Sequence, residues 1–439
     1  MLSSFRSRYA RFGEPSRRRL RTYRIASERM FPALAPFKPS DEDLILLAES
    51  GVIPFGSGSA SNLLAGNANM SALRQFIEQD LTGEPMQGRY TPMRREGARK
   101  RPPRFALEIV YGGADCDSGL YLPDGVRLRT IWNEDTLGRM PRLDGVSRTD
   151  KDNTFFPDFD NDASRSLSDL HLAFLQYHNR VVEELEAKGA SQPWLFLRAQ
   201  RVVRWHYQWL LLHEFLPSVV GKTLLETLWP EVVGGDRKGA YTLSKETPLR
   251  PERCCFTERP PDCLSVEFLE AAFRFGACAA LPYDSSAFRL VSDPEARAIA
   301  GILLRGKAVG LPTGQEVARA MGLPERLILS TDNLHYALSA SGNSDSVRIS
   351  PESWALLRET FGDTTPLWAY ILKEAEWLGQ GEHLGPVGGR IVAEVILDLL
   401  HTDPLAYVVM APHWQPKRGQ FGCPADGHFT LTDLRNYIF

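Results

Sequence analysis

Four histidines form two pairs with the same spacing, and their imidazole rings are the first candidates for acid-base or metal chemistry. His171 and His178 lie in LHLAFLQYHN, and His206 and His213 lie in WHYQWLLLH. Seven residues are two turns of an α-helix, so each pair shares a face at a separation of about 10.5 Å. That distance is too long for one pair to bind a single metal ion. Leu, Phe, Trp and Tyr surround all four, and we expect histidines that pack in the core.

Carboxylates and thiols are the next candidates. The run PDFDNDAS places Asp158, Asp160 and Asp162 ahead of a predicted helix, where carboxylates commonly cap backbone amides. The six cysteines contain no CxxC pair, and no secretory signal precedes them, so we predict reduced thiols and no structural zinc.

The motif GPVGGR, residues 385–390, lacks the lysine of a phosphate-binding loop. It predicts instead a helix start that other groups approach closely.

Composition and charge narrow the class of protein. The chain has 439 residues, 43% of them hydrophobic, and a formal net charge of −3. This charge gives no argument for binding nucleic acid, and there is no apolar run of about 18 residues to cross a membrane. We predict a cytoplasmic protein that binds neither nucleic acid nor a membrane.

The N-terminal segment is strongly basic. Residues 1–24 hold eight arginines and a single acidic residue, Glu14. This basic arm is either a solvated tail or a binding element for an acidic protein surface.

Helical periodicity dominates the rest of the chain. In SALRQFIEQDLTGEP, Leu73, Phe76 and Ile77 follow the i, i+3, i+4 spacing of a helix, and TGEP ends it. Strand signals are few and short. We predict one large, mainly α domain over residues 25–439, with long loops. The other predicted helices cover residues 166–188, 195–221, 264–280, 293–305, 314–321, 351–360, 366–378 and 386–402.

Several of these segments resemble the animal haem peroxidase superfamily, and its bacterial members in particular. The segments follow the family's order, and the resemblance covers roughly residues 25–439. It implies a helical domain wrapped around a haem. The segments are ERMFPALAPFKP, LHLAFLQYHNRVV, WHYQWLLLHEFLPSVVG, EFLEAAFRFG, GLPTGQEVARAMG, TPLWAYILKEAE and LGPVGGRIVAEVILDLL.

The helix that carries the distal histidine in this family has changed. The family sequence GQFIDHDLT corresponds here to RQFIEQDLT, so Gln79 replaces the base that helps to split peroxide. Glutamine has no group that titrates near neutral pH and cannot shuttle that proton. Gln75 and Asp80 keep the family's residue types. Glu78 replaces an aspartate that is attached to the haem edge in some relatives.

Other positions that hold or activate haem in this family also carry residues here that lack the required side-chain group. Ala277, in FRFGA, stands where the iron-binding histidine is expected, and Ile302 stands in place of its asparagine partner. Asp160 and Ala163 replace the catalytic arginine and a nearby glutamate. The resemblance therefore implies a protein without haem. It also implies a protein without calcium, with Asp80 as a vestigial ligand, because the calcium loop carries Pro102, Arg104, Ala106 and Glu108.

The first functional hypothesis is a haem-independent enzyme that uses the former haem cavity. A vacated cavity would be deep and apolar and would suit a small organic metabolite of secondary metabolism. The chemistry would be a non-redox cyclisation, dehydration, isomerisation or condensation. The candidate catalytic residues are Asp160, Glu78 and Cys278, and the candidate substrate-binding residues are Gln79, Arg274, Gln75, Ala277, Ile302 and Ala163.

Two alternatives remain open at this point. The chain is a non-catalytic pseudoperoxidase that binds a protein partner, for example through the arginine-rich arm. Alternatively, it holds haem by unusual ligation, with Cys278 near the iron and with Arg274 and Arg305 near the haem carboxylates.

Overall fold

The computed structural model of the chain describes residues 27–53, 68–82, 103–111, 120–130, 162–228, 264–273, 291–330 and 351–438. The predicted mainly α fold is confirmed. In these ranges no helix has the length and apolar character needed to span a membrane. The α-helices are α1 (Asp41–Glu49), α2 (Ala68–Thr82), α3 (Glu108–Tyr111), α4 (Asp162–Ala187), α5 (Leu195–Leu210), α6 (Leu216–Val220), α7 (Lys222–Leu228), α8 (Pro294–Val309), α9 (Gly314–Ala320), α10 (Pro351–Phe361), α11 (Leu367–Trp377), α12 (Pro386–Thr402), α13 (Tyr407–Met410) and α14 (Leu431–Ile438).

The remaining elements are short. Two π-helical turns cover Leu211–Phe215 and Phe268–Phe273, and a 3₁₀ turn covers Glu325–Leu327. Strands β1 (Ser27–Glu28) and β2 (Leu264–Ser265) pair in parallel, with Ser27 opposite Leu264.

The chain divides into two compact units. The first unit comprises residues 1–66, 219–228 and 251–396, and the second comprises residues 67–218, 229–250 and 397–439. The predicted single domain over residues 25–439 stays a prediction. The basic arm, residues 1–24, lies outside the described residues.

A buried carboxylate organises part of the first unit. Glu374 on α11 is fully buried and accepts hydrogen bonds from the backbone N–H groups of Val387 and Gly388, at 2.9 and 3.3 Å. These amides belong to the first turn of α12, and burial raises the pKa of Glu374 to about 8. A Cβ atom on Gly385 would lie only 2.3 Å from Glu374 Cγ. The close approach predicted for GPVGGR is therefore confirmed.

Polar side chains fix the helix starts of the first unit. Asp293 precedes α8 and accepts a hydrogen bond from the N–H of Ala296 at 3.0 Å. At α9, the Thr313 hydroxyl accepts the N–H of Glu316, and the Glu316 carboxylate accepts the N–H of Thr313. Such caps satisfy amides that have no partner within the helix.

Aromatic rings form the core of the second unit. Phe76 of α2 stacks on Phe174 of α4, with ring centroids 4.8 Å apart. Tyr207 of α5 meets both rings edge-on, at 5.8 and 5.6 Å, and Phe105 packs against Tyr207 at 6.3 Å. All four side chains are buried. This cluster joins three helices, and edge-to-face contacts of this kind favour a defined geometry.

The four histidines that form the two sequence pairs confirm the prediction of core packing. His171, His178 and His206 are buried, and each ring lies within 2.9 Å of a backbone carbonyl oxygen. Burial lowers the pKa of each of the three to about 4, so these rings are neutral at pH 7. His213 stacks on Trp209, with ring centroids 3.7 Å apart.

The predicted helix over residues 264–280 is wrong at its start. Leu264 and Ser265 are in strand β2, because their backbone pairs with β1 and the Ser265 hydroxyl caps the N–H of Phe268 at 3.1 Å. Helical structure begins only after this cap. Residues 274–280 lie outside the described residues.

We expect Gly314→Ala to destabilise the protein. The added Cβ would lie 2.0 Å from Cγ of Tyr370, a ring that is buried and cannot move aside. Overpacking of this kind costs about 1–3 kcal/mol. Urea unfolding measures the loss of stability, and Gly306→Ala is the matched control, because its Cβ would meet only the end of the Leu311 side chain at 3.1 Å. Equal stability of the two variants would contradict the close packing.

Candidate functional site

The candidate site lies on α2, a helix of 15 residues whose sides differ in chemistry. The side that packs into the second unit carries residues at the spacing i, i+3, i+4 and i+7, which is one helix face. All of them are buried. They are Leu73, Phe76, Ile77 and Asp80.

A second stripe with the same spacing, here called the α2 polar face, consists of Gln75, Glu78, Gln79 and Thr82. Gln75 and Thr82 are 6% and 8% exposed, and Glu78 and Gln79 are half-buried. The Thr82 hydroxyl donates to the backbone carbonyl of Glu78 at 2.8 Å. One carboxylate and two carboxamides therefore share a helix face that is largely shielded from water.

The carboxamide of Gln75 is not fully satisfied. Its Oε1 atom is buried and accepts no hydrogen bond in the structure. Leaving a buried acceptor without a donor costs about 1–3 kcal/mol. Because buried polar atoms are nearly always paired, Oε1 is a natural acceptor for an N–H or O–H group from a bound molecule or water.

Asp80 lies on the buried face of α2, not on the polar face, and its role is structural. Its carboxylate accepts hydrogen bonds from the backbone N–H groups of Leu107 and Glu108, at 3.1 and 2.7 Å. Burial raises the pKa of Asp80 to about 7, although both hydrogen bonds act in the opposite direction. Asp80 thus ties α2 to the start of α3. Both of its oxygen atoms, which the family resemblance assigns to calcium, accept a backbone amide.

The other residues of the expected calcium loop supply little for a cation. Arg104 carries a positive charge, and its guanidinium lies 4.0 Å from the carboxylate of Asp403. Ala106 has no side-chain oxygen, and the backbone of Glu108 donates to Asp80. Pro102 lies outside the described residues.

Two predicted positions lie on α8 in the first unit. Ile302 is 6% exposed and presents only hydrocarbon where the family resemblance expects an asparagine. Arg305, one turn further on, donates from Nε and Nη2 to the two oxygens of Glu270 at 2.5 and 2.6 Å. This two-bond geometry is the strong form of an arginine-carboxylate pair. The guanidinium is therefore already engaged by a carboxylate of the chain.

The structure brings only part of the predicted site together. Gln75, Glu78 and Gln79 share the α2 polar face. Ala163 lies within α4. The remaining predicted site residues lie outside the described residues, and their grouping with α2 stays a prediction. They are Asp160, Arg274, Ala277 and Cys278.

Sequence reasoning missed a buried ion pair on α11. Lys373 is 1% exposed, and its ammonium group donates to Glu376 at 2.9 Å. The signal was present in LWAYILKEAEW, where Lys373, Glu374 and Glu376 follow six apolar residues. Lysine is rarely buried without a specific partner, and the sequence offers Glu376 as that partner three residues later.

Comparison with known proteins gives one finding. Residues 108–289 match the family model for animal haem peroxidase. The matched range takes in α3 to α7 and the segment that contains FRFGA, and it supports the superfamily that the motifs indicate. No curated protein matches the chain in a sequence search.

We expect Asp80→Asn to change how stability depends on pH. The pKa of Asp80 is 3.8 in the unfolded chain and about 7 in the folded one, so between these values only the unfolded state loses the proton. The contribution of Asp80 to stability is therefore present below pH 3.8 and is lost as pH rises through about 7. Relative to the variant, the wild type should lose on the order of 4 kcal/mol over this window, because each pKa unit corresponds to about 1.4 kcal/mol.

Urea unfolding at a series of pH values measures this difference. Asp124→Asn is the control, because burial there is slight and is outweighed by hydrogen bonds from the Val126 and Arg127 amides, which leave the pKa of Asp124 lowered. Its contribution should run the opposite way and be lost as pH falls. A pH-independent difference between wild type and Asp80→Asn would contradict the assigned role of Asp80.

Proposed function

We propose that this chain, which carries an animal haem peroxidase domain over residues 108–289, has lost peroxidase chemistry and works without haem. The residues at the positions where the family holds and activates haem do not fit that group. Gln79 cannot act as the distal base, Ile302 offers no polar atom, and the guanidinium of Arg305 is engaged by Glu270. The sequence adds Ala277 at the place of the iron ligand.

The proposed activity is non-redox acid-base catalysis on a small organic metabolite. The observation that carries it is the unsatisfied Oε1 of Gln75 on the same helix face as the carboxylate of Glu78. A hydrogen-bond acceptor that binds substrate, Gln75 Oε1, and a carboxylate that carries a proton, Glu78, thus lie within one helical turn of each other. Reactions driven by proton transfer, such as cyclisation, dehydration, isomerisation and condensation, need this combination.

Each residue of the α2 polar face has a distinct proposed role. Gln75 Oε1 accepts a hydrogen bond from a hydroxyl or amide of the substrate and orients it. Glu78 removes a proton from the reacting carbon or heteroatom, or returns one to it. Gln79 donates from its amide nitrogen to the oxygen on which negative charge develops, as oxyanion-binding groups do. Asp160, Arg274 and Cys278 remain further candidates of the same proposal.

We expect purified protein to show no Soret band, and haemin added to it to keep the absorption spectrum and the weak peroxide-dependent dye oxidation of free haemin. The reason is that neither side of a bound haem would meet an imidazole from positions 79 and 277. Absorption spectroscopy and a dye assay measure the two properties. The double variant Gln79→His, Ala277→His is the matched comparison, since it returns both family ligands. A purified wild type with a Soret band and peroxidase turnover would refute the proposal.

We expect Glu78→Gln to reduce turnover by at least about 100-fold, because general acid-base catalysis contributes factors of this size or larger. Wild type and variant are each incubated with a metabolite extract, and mass spectrometry identifies compounds that only the wild type converts. Glu186→Gln, an exposed position on α4, is the control and should retain full turnover.

Three results of this experiment bear on the choice between the proposed enzyme and the pseudoperoxidase. Conversion by wild type and by Glu186→Gln, but not by Glu78→Gln, supports the acid-base role. Equal conversion by all three removes that role from Glu78. The pseudoperoxidase that binds a partner is favoured by a third result. The wild type leaves the extract unchanged, and a column that carries the immobilised full-length protein retains an acidic protein.

A further inference from the structure

The large hydrophobic side chains that are exposed among the described residues all lie in two segments of the second unit. Two of them are at the start of α5, and three are in α13 or just before it. Their exposed fractions range from 43% to 65%. Single exposed hydrophobic residues are common on proteins, but a connected group of them marks an interaction surface. The five side chains are Trp194, Leu197, Leu405, Val409 and Met410.

A hydrogen bond connects the two segments into one surface, here called the α5–α13 surface, which consists of these five side chains with Arg198, Arg201 and Trp205. Trp194, directly before α5, and Trp205 lie three helical turns apart, so they share one face at a separation of about 16 Å. The indole N–H of Trp205 donates to the backbone carbonyl of Leu405 at 3.1 Å. The guanidinium of Arg201 lies over the Trp205 ring, 5.5 Å from its centroid. Exposed apolar side chains therefore mark both ends of this face.

The part of the surface between these ends is basic. Arg198 and Arg201 are exposed and follow Trp194 at the spacings i+4 and i+7, which keep them on its face of the helix. Residues 193–213 and 404–425 together hold five arginines and lysines and no aspartate or glutamate. The chain as a whole has a net charge of −3, but these two segments are positive. Their charge is complementary to that of an anionic partner.

The arginines argue against a second copy of the chain as that partner. A two-fold dimer places the same surface patch on both sides of its interface. Arg198 and Arg201 of one copy would then face apolar side chains or arginines of the other copy, because the two segments contain no carboxylate side chain to pair with them. Burying a charge without a partner is costly. The partner must therefore supply the negative charge itself.

We propose that the α5–α13 surface binds to the face of an anionic phospholipid membrane. Trp194 and Leu197 at one end, and Met410 at the other, insert into the layer of lipid headgroups, while Arg198 and Arg201 pair with phosphates. Tryptophan favours this boundary layer because its ring is apolar and its N–H is polar. Arginine lays its hydrocarbon stem along apolar surface and directs its guanidinium to phosphate.

An acidic protein fits this surface less well than a bilayer does. The residues that dominate a protein interface cluster near its centre, and they fill pockets on the partner. Here the exposed apolar side chains lie at two ends of a face about 16 Å long, with arginines between them. Lipid headgroups and chains rearrange around each inserted side chain, so a bilayer needs no matching pockets.

This inference goes beyond the proposed function and does not depend on it. The sequence-based expectation of no membrane partner came from the net charge of the whole chain and from the lack of a long apolar run. Neither property describes the side chains of one local surface. The proposed contact is peripheral, with α5 lying along the membrane instead of crossing it.

Co-sedimentation with vesicles tests the proposal. Full-length protein is mixed with vesicles of phosphatidylcholine alone or of phosphatidylcholine with phosphatidylglycerol, at low and at high salt. We expect binding to the vesicles that contain phosphatidylglycerol, and weaker binding at high salt, because salt screens exposed charges. The double variant Arg198→Gln, Arg201→Gln should bind about 25-fold more weakly, since each arginine near an anionic surface contributes about fivefold.

A second double variant and a matched control complete the test. Trp194→Ala, Leu197→Ala should bind at least about tenfold more weakly, since inserted apolar area contributes much of the affinity of peripheral binding. Arg180→Gln, Arg319→Gln is the control and should bind as the wild type does. It removes two exposed arginines as well, but their charges are already paired with carboxylates. All of the exchanged side chains are exposed, so urea unfolding should give similar stability for every variant.

Each outcome of this test decides the proposal. Binding by the wild type and the control, with loss in both surface variants, supports it. Vesicle binding retained by both surface variants would assign the binding to another part of the chain, such as the basic arm of residues 1–24, and overturns the proposal. Equal binding to neutral and anionic vesicles overturns the role of the arginines. A wild type that binds no vesicle overturns the proposal as well, and a dimer in light scattering that Trp194→Ala, Leu197→Ala disrupts would then assign the surface to a second copy.

Discussion

The bond between the Asp80 carboxylate and the two amides at the start of α3 sets the rotation of α2. Asp80 and Gln79 are neighbours, and successive residues of an α-helix are rotated by about 100°. Because Asp80 and Phe76 are both held within the second unit, the direction of the other stripe of the helix is fixed as well. The orientation of Gln75, Glu78 and Gln79 thus follows from a bond that none of them makes.

Periodicity predicted most of the helical fold. The predicted helices over residues 314–321 and 386–402 match α9 and α12 to within one residue, because caps or glycines mark their starts. Strand β2 was missed, since two residues carry no periodicity and its pairing partner lies more than 200 positions away. The π-helical turns were missed for a related reason, because an extra residue in a helix leaves no sign in composition.

The residue types of the candidate site could be predicted, but their partners could not. The motif RQFIEQDLT identified Gln75, Glu78, Gln79 and Asp80 at once. Nothing local indicated that Asp80 bonds to amides 27 and 28 residues later, or that Arg305 pairs with Glu270. Such contacts depend on how the elements pack. The aromatic core of the second unit is separate from the α2 polar face, so the residues that do chemistry can change while packing is retained.

The π-helical turn at Leu211–Phe215 has a consequence for the long helix that contains it. A π turn places one more residue in the helix than regular α geometry would, and the ladder then resumes in α6. The extra residue is taken up inside the turn, so removing one residue would let the helix close into a continuous α form while the buried Leu216 and Val220 keep their present directions. A regular α-helix would answer the same loss with a rotation of every later side chain by about 100°. The π turn is therefore the place in this long helix where a change of length by one residue disturbs the packing least.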